Sequence, residues 1–255
     1  MHSEARRLRF VGRRLDSLFP YRPKRPGCNK RLRAALPLVK RVIRLPARDT
    51  DFWLDTVWIT DSTPVPCGMS RPTVKRSNVA GWAGYGYCAS HSRFFRGLRL
   101  YLVCTPAGMP IVWALANPEL GEREVLAAMP EVEADVAAEH PGALLITDKG
   151  FAGREFERVL TEEHRITLLR PSRKDEAARF GEPILKSVRQ LIESVNDILK
   201  GQLDLEQHGA RSFEGVAIRV AQRVLALAAA IWHNFRTGQA VSRSLTAYDH
   251  EELLV

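Results

Sequence analysis

Two apolar runs that each end in an aspartate constrain the fold of this chain most strongly. Residues 57–60 precede Asp61 and residues 143–147 precede Asp148, and both runs have the length and apolar content of buried strands. Burying a carboxylate costs free energy unless it has a partner, and oxygen ligands are the ones that Mg²⁺ takes. The two acids therefore indicate a metal site, although taken singly each aspartate also suits a turn or a helix cap.

The order of the predicted elements places both runs in one sheet. The apolar patterns predict strands at 53–60, 94–104 and 111–115, a helix at 122–139, a strand at 143–147, a helix at 153–163, a strand at 165–169 and helices at 183–200 and 213–236. A polar, glycine-rich and basic stretch fills residues 62–92. Three antiparallel-type strands followed by alternating helices and strands predict an α/β fold with a mixed β-sheet flanked by helices.

A third acid, Glu193, lies on the first of the two C-terminal helices. At about 100° per residue, Arg189, Glu193 and Lys200 fall together on the flank of an apolar stripe. The stripe consists of Val188, Leu191, Ile192, Val195, Ile198 and Leu199. On this helix alone, an Arg189–Glu193 ion pair worth about 0.2–0.5 kcal/mol is the simpler explanation. The combination with Asp61 and Asp148 favours a metal ligand.

The positive charge of the chain is concentrated in its first 50 residues. They contain 15 of the 38 lysines and arginines but 3 of the 29 acids, so this segment carries +12 and the remainder about −3 of the net +9. Five prolines divide the segment, which predicts short helices near 4–19 and 30–44 joined by extended linkers. Such basic clusters suit a polyanion, because each neutralised phosphate releases counterions. The alternative is a solvated, partly disordered leader.

Composition argues against several other classes of protein. The longest apolar stretch, residues 224–231, is far shorter than the roughly 20 residues that a membrane span needs. The N-terminus lacks the apolar segment of a secretory signal. The 4 cysteines are widely spaced and follow neither a zinc nor a disulfide pattern. We expect a cytoplasmic, nucleoid-associated protein with reduced thiols.

The element order and the segments around the acids resemble one known family. The order matches an RNase H-like fold, in which the first strand, the fourth strand and a later helix carry acids. The segments ITDSTPVPC, LLITDKGF and RQLIESVNDILKG, within residues 56–234, resemble DDE transposases of bacterial insertion sequences. The family's Tyr-x2-Arg-x3-Glu-x6-Lys signature fits Arg189, Glu193 and Lys200, whereas Lys186 occupies the tyrosine position.

The resemblance implies a catalytic site, its cofactors and its partners. Asp61 would bridge two Mg²⁺ ions, for which Mn²⁺ can substitute, and Asp148 and Glu193 would each complete one ion site. The same site would hydrolyse DNA at a mobile-element end to free a 3′-hydroxyl and then join that hydroxyl to target DNA. Double-stranded DNA is the implied partner, and the pairing of two element ends implies a homodimer in the active complex.

Basic residues near the acids are candidate contacts to DNA phosphates. They are Arg189 and Lys200 beside Glu193, Lys149 after Asp148, and Lys75 and Arg76 on the glycine-rich stretch. Contacts of this kind position DNA without reading its sequence. For Lys75 and Arg76, a solvated surface role is an equal alternative.

These expectations divide the chain into three parts. They are a basic arm or truncated DNA-binding region at 1–50, an RNase H-like DDE catalytic domain at 51–240 and a tail at 241–255. The expected activity is that of a Mg-dependent DNA transposase. Only 60 residues precede Asp61, whereas family members commonly carry a larger helical DNA-binding region there. Two alternatives therefore stay open: an inactive remnant that only binds nucleic acid, and a structure-selective nuclease of the same fold.

Overall fold

A six-stranded mixed sheet forms the centre of the computed structural model, which describes residues 4–19, 21–68, 79, 81–88 and 92–241. Its strands are β1 (Val57–Gly68), β2 (Gly84–Cys88), β3 (Arg93–Cys104), β4 (Pro110–Ala116), β5 (Leu144–Ile146) and β6 (Thr167–Leu169). β3 pairs antiparallel with β1, β2 and β4, whereas β5 runs parallel to β1 and β6. The strand order β4-β3-β1-β5-β6 is that of an RNase H-like fold, which confirms the predicted fold class.

Helices cover the sheet, and the longest of them forms much of the core. They are α1 (Glu4–Arg14), α2 (Arg25–Ala34), α3 (Leu36–Arg48), α4 (Glu122–Val132), α5 (Ala134–Glu139), α6 (Arg154–Glu162), α7 (Leu185–Asp197) and α8 (Phe213–Arg236). Among the described helices, α8 is the one long and apolar enough to cross a membrane by length and composition alone. Of its most apolar 18-residue window, 56% is buried inside the fold, as is usual for a core helix.

β1 starts later and extends further than the predicted strand. Asp51–Leu54 form a 3₁₀ turn, and the strand then runs through Asp61 as far as Gly68. The prediction that this strand ends before Asp61 is wrong, because β3 pairs with β1 along most of its length. Beyond its first residues the other edge of β1 has no strand partner in the described chain, and there the carbonyl of Pro66 accepts a hydrogen bond from His208. Proline is tolerated at such an edge because no N–H is needed.

β2 is a strand that the sequence patterns did not predict. Two of its five residues are glycines, which have low strand propensity. The strand nevertheless pairs with β3 over its whole length. Gly86 is required in this pairing, because a β-carbon there would lie 2.6 Å from the ring of Phe95.

The helix predicted at 122–139 is two helices. The backbone leaves helical geometry at Glu133, between α4 and α5. The carboxylate of Glu133 is engaged there by Arg44, which also binds Asp135 at 2.9 Å. The ion pair with Arg44 therefore coincides with the break, and Pro130, three residues earlier inside α4, is a helix-breaking residue close to it.

Part of the predicted basic arm belongs to the folded core. α3 packs against α8, and Ile43 and Ala47 of α3 are fully buried. Arg48 at the end of α3 binds Glu139 of α5 at 2.6 Å. The domain limits at residues 50 and 240 stay predictions, but α3 is attached to the sheet domain on two sides.

Candidate active site

Asp61 and Asp148 lie at the same level of neighbouring parallel strands. The paired residues of β1 and β5, beginning with Val57 and Leu144, are 87 positions apart, and so are Asp61 and Asp148. The two aspartates therefore follow the paired segment in register. Both line one cavity of about 300 Å³, together with Arg189 and other residues of α7.

Asp61 is partly buried and accepts two hydrogen bonds. The backbone N–H of Ser62 donates to Oδ1 at 2.8 Å, and Nδ2 of Asn196 donates to Oδ2 at 3.0 Å. The pKa of Asp61 is raised to about 6: burial and the negative charges of Asp148 and Glu122 raise it, and the Ser62 N–H and Arg189 oppose them. A carboxylate in this environment is stabilised by any cation that reaches it.

Asp148 combines a cavity position with a cap. Its Oδ1 accepts a hydrogen bond from the backbone N–H of Gly150 at 2.8 Å, at the start of the 3₁₀ turn Lys149–Phe151. The capping role that the sequence left open is therefore present. It does not compete with the site, because the cap holds the carboxylate where its charge raises the pKa of Asp61.

Glu193 is not among the residues that line the cavity. Its side chain is 51% exposed, and its Oε1 accepts a hydrogen bond from Nε of Arg189 at 2.9 Å. Within the described ranges, no group of three or more histidine, cysteine, aspartate or glutamate side chains is arranged to hold a metal ion. The helical ion pair is therefore formed, and the assignment of Glu193 as a third metal ligand stays a prediction.

Asn196, which the sequence reasoning missed, is the α7 residue that contacts Asp61. It is 5% exposed, and its Oδ1 is buried without a hydrogen-bond partner in the described part of the chain. A buried acceptor left unsatisfied costs about 1–3 kcal/mol. The signal in the sequence was weak: an amide at the edge of an apolar stripe, one turn after Glu193.

Glu122, at the first position of α4, is a further acid close to Asp61 that the sequence reasoning missed. Its carboxylate accepts a hydrogen bond from Ser62 Oγ at 2.9 Å and pairs with Arg99, whose Nη1 also donates to Ser62 Oγ at 3.0 Å. This network holds the carboxylate of Glu122, whose negative charge still raises the pKa of Asp61. No motif in the sequence marks it, because the contact depends on the packing of α4 beside β1 and β3.

The predicted DNA-contacting residues do not all lie at the cavity. Arg189 lines it, and Lys149 is exposed directly after Asp148. Lys200 does not continue α7: it lies on a π-helical turn, Ile198–Gln202, and is partly exposed. The wider π turn rotates it away from the α-helical flank predicted for it. Lys75 and Arg76 lie outside the described residues.

The donor set fits a hard divalent cation in part. Asp61 and Asp148 present carboxylate oxygens to one cavity. Asn196 is bonded to Asp61 and has a buried amide oxygen without a partner in the described chain, but it is not among the residues that line the cavity. Oxygen atoms of these kinds are the ligands that Mg²⁺ and Mn²⁺ prefer. The raised pKa of Asp61 is consistent with a carboxylate whose usual partner is a cation.

An RNase H-like sheet with acids on its two central parallel strands is the architecture of a nucleic-acid-processing domain. The model of the family described as transposase DDE domain matches residues 53–229, and the chain belongs to that family. The predicted DDE transposase relationship is confirmed, whereas the assignment to a bacterial insertion sequence stays a prediction. A comparison with curated proteins gave no match. DDE transposases act on DNA and generally use divalent metal ions.

Proposed function

We propose that this protein is a transposase that cleaves the DNA at a mobile-element end and joins the freed 3′-hydroxyl to target DNA. The observation that carries the proposal is the placement of Asp61 and Asp148 in one cavity, with Asp61 on β1 and Asp148 two residues beyond the adjacent parallel strand β5. Membership of the transposase DDE family supports the same chemistry.

In this proposal Asp61 and Asp148 hold Mg²⁺, which Mn²⁺ can replace. When bound there, such ions would supply an activated nucleophile and would neutralise charge on the phosphate. The protein contributes a fixed pair of carboxylates: Asn196 and the Ser62 N–H orient Asp61, and the Gly150 N–H orients Asp148. Fixed orientation lowers the reorganisation that the reaction requires.

Glu193 is the proposed third ligand. It reaches the cavity when its ion pair with Arg189 opens, and the freed guanidinium then binds a DNA phosphate. An exposed ion pair of this kind is worth only about 0.3–0.5 kcal/mol, so a substrate phosphate can displace it. Lys149, Lys200, Lys75 and Arg76 are further proposed phosphate contacts.

The proposed partner is double-stranded DNA, both as element end and as target. Joining two element ends requires two catalytic sites, so we propose a homodimer in the active complex. We propose that the protein acts on DNA of the nucleoid and is therefore located in the cytoplasm. Residues 1–50 serve as a basic DNA-binding arm and residues 51–240 as the catalytic domain.

A second function is favoured by the position of Glu193. Glu193 is paired with Arg189 outside the cavity, so the structure also suits a protein that lacks a third metal ligand. Such a protein would bind DNA without cleaving it. A nuclease of the same fold, which cleaves but does not join, is the third candidate. The three differ in products: joined DNA, no product, or cleaved DNA alone.

The test uses duplex DNA copied from the genomic sequence on either side of the gene, incubated with Mg²⁺ and a target plasmid. We expect cleaved and joined products from the wild type and neither from Asp61→Asn or Asp148→Asn. Asp175→Asn, which removes an exposed carboxylate from a loop, is the matched control and retains both. Activity in Asp61→Asn equal to that of Asp175→Asn contradicts the proposal.

A further inference from the structure

A second cavity, of about 550 Å³, lies between α2 and the start of α8. We call it the arginine cleft. Its charged and polar lining residues are Arg25, Arg33, Arg211, Arg219, Asn29 and Ser212. None of the described residues that line this cleft is acidic, so its lining contributes positive charge alone.

The first turn of α8 adds to the positive potential of the cleft. This helix has 24 residues, and Ser212 caps it by accepting a hydrogen bond from the N–H of Gly215 at 3.2 Å. The N-terminus of a long helix carries roughly half a positive charge and is a common binding position for phosphate. Glu214, the acid of this first turn, is exposed and is not part of the lining. Arginine side chains and a helix end therefore point to the same kind of ligand.

One of the cleft arginines, Arg219, also acts on the nearby His208. Burial lowers the pKa of His208, the charges of Arg223 and Arg219 lower it as well, and the hydrogen bond to Pro66 opposes them, so that the pKa is about 4. The neutral ring is satisfied on both sides, since Nε2 donates to the Pro66 carbonyl at 2.9 Å and Nδ1 accepts from the N–H of Ala210 at 3.1 Å. This part of the molecule thus keeps a buried histidine uncharged beside its cationic surface.

The arginine cleft is linked through His208 to β1, the strand that carries Asp61. Gly209 lines the cleft and follows His208, which is bonded to Pro66 of β1. Pro66 is five residues beyond Asp61, a separation on the order of 17 Å at about 3.3 Å per residue. One turn of B-DNA is about 34 Å long. A duplex whose reacting phosphate lies at Asp61 can therefore place another backbone segment at the cleft within about half a turn.

We propose that the arginine cleft binds the phosphate backbone of the same DNA duplex whose cleavage we assign to the cavity at Asp61. The inference rests on the proposed function and adds to it a second, separate DNA contact. Arginine is suited to this role because its planar guanidinium binds phosphate oxygens in a bidentate manner. The cleft positions the duplex and does not read its sequence, because phosphates are the same at every base pair.

Binding of a labelled duplex of arbitrary sequence, measured by fluorescence anisotropy over a series of salt concentrations, tests the proposal. The variants are Arg33→Gln and Arg211→Gln, which change exposed side chains of the cleft. Each lost phosphate contact lowers the slope of log Kd against log salt by about 0.9. We expect this decrease in each variant, and no change in Arg165→Gln, which removes an exposed arginine before the amino end of β6.

Slopes in Arg33→Gln and Arg211→Gln equal to that of Arg165→Gln overturn the proposal, as does wild-type protein that binds no duplex. The Asp61→Asn variant separates this result from failure of the proposed function. If Asp61→Asn still cleaves DNA while Arg33→Gln and Arg211→Gln show the decreased slope, the catalytic assignment fails and the cleft stands. If Asp61→Asn is inactive and the cleft variants bind as Arg165→Gln does, the cleft assignment fails alone.

Discussion

Asn196 donates a hydrogen bond from Nδ2 to Oδ2 of Asp61 at 3.0 Å, and its own Oδ1 is buried without a partner in the described chain. The donor half of the amide is therefore used to hold the carboxylate, and the acceptor half is unused. Asn196 lies one helical turn after Glu193, so α7 carries both a contact to Asp61 and the predicted third ligand. This arrangement makes Asn196 a positioning residue for Asp61.

Substitutions of Asn196 distinguish two roles for this residue: holding the Asp61 carboxylate by a hydrogen bond, and providing an oxygen ligand to a cation. Asn196→Asp keeps an oxygen but places a third carboxylate beside Asp61 and Asp148, so we expect it to lower the unfolding temperature. Mn²⁺ should restore that temperature, because a ligand that binds only the folded state stabilises it. Asn196→Leu, which has neither group, should be destabilised without recovery in Mn²⁺. Thermal unfolding with and without Mn²⁺ checks this, and equal responses of the two variants contradict it.

The raised pKa of Asp61 predicts a pH-dependent difference in stability between wild type and Asp61→Asn. The folded state holds this proton up to about pH 6, whereas the ordinary value is 3.8, so the folded state binds more protons in between. Stability contributed by protonated Asp61 is therefore present below about pH 4 and is lost as pH rises through 6. We expect Asp61→Asn to gain stability over the wild type across this window in urea unfolding without metal. A difference that stays constant with pH rules this out.

The Arg189–Glu193 pair predicts a coupling in metal affinity. If Glu193 is the third ligand, Arg189→Gln frees it and Mn²⁺ binds more tightly. In a Glu193→Gln background, Arg189→Gln should give a smaller gain in Mn²⁺ affinity. There it only removes the positive charge of Arg189 beside Asp61 and frees no ligand. A double-mutant cycle of Mn²⁺ dissociation constants measures this. Equal gains in both backgrounds assign Glu193 a surface ion pair and nothing more.

We predict that Arg170 stabilises the segment that carries the cavity residue Glu182. Its side chain is 2% exposed and binds Glu157 at 2.8 Å and Glu176 at 2.6 Å, in the segment that carries the cavity residue Glu182. Arg170→Met leaves Glu157 without one of its cations, and we expect a clear fall in unfolding temperature. Arg158→Met, which breaks exposed helical pairs, is the matched control and should change it little. Similar falls in the two variants contradict a supporting role.

Most of the fold could be predicted because apolar periodicity reports burial. The runs before Asp61 and Asp148 are buried on both faces, and the long C-terminal helix was predicted with its observed limits at 213 and 236. The errors lie where long-range contacts decide. β2 depends on pairing with β3 despite its glycines. The break at Glu133 follows Pro130 and coincides with the long-range ion pair to Arg44.

The site was predictable only where strand order dictates it. Asp61 and Asp148 each lie two residues beyond the paired segments of the adjacent parallel strands β1 and β5, so they share a cavity. The rotation of α7 against the sheet is set by packing, and it brings Asn196 to Asp61 while Glu193 stays with Arg189. No pattern in a single sequence determines which of two residues one turn apart faces a neighbouring strand.

The central claim, that Asp61 and Asp148 form a divalent-cation site, is tested most directly by Mn²⁺ binding. Free Mn²⁺ is followed by its electron paramagnetic resonance signal during titration of the protein without DNA. The account predicts binding by the wild type and by Asp175→Asn, and loss of that binding in the double variant Asp61→Asn, Asp148→Asn. Equal binding by the double variant and the wild type, or no binding by the wild type, contradicts it.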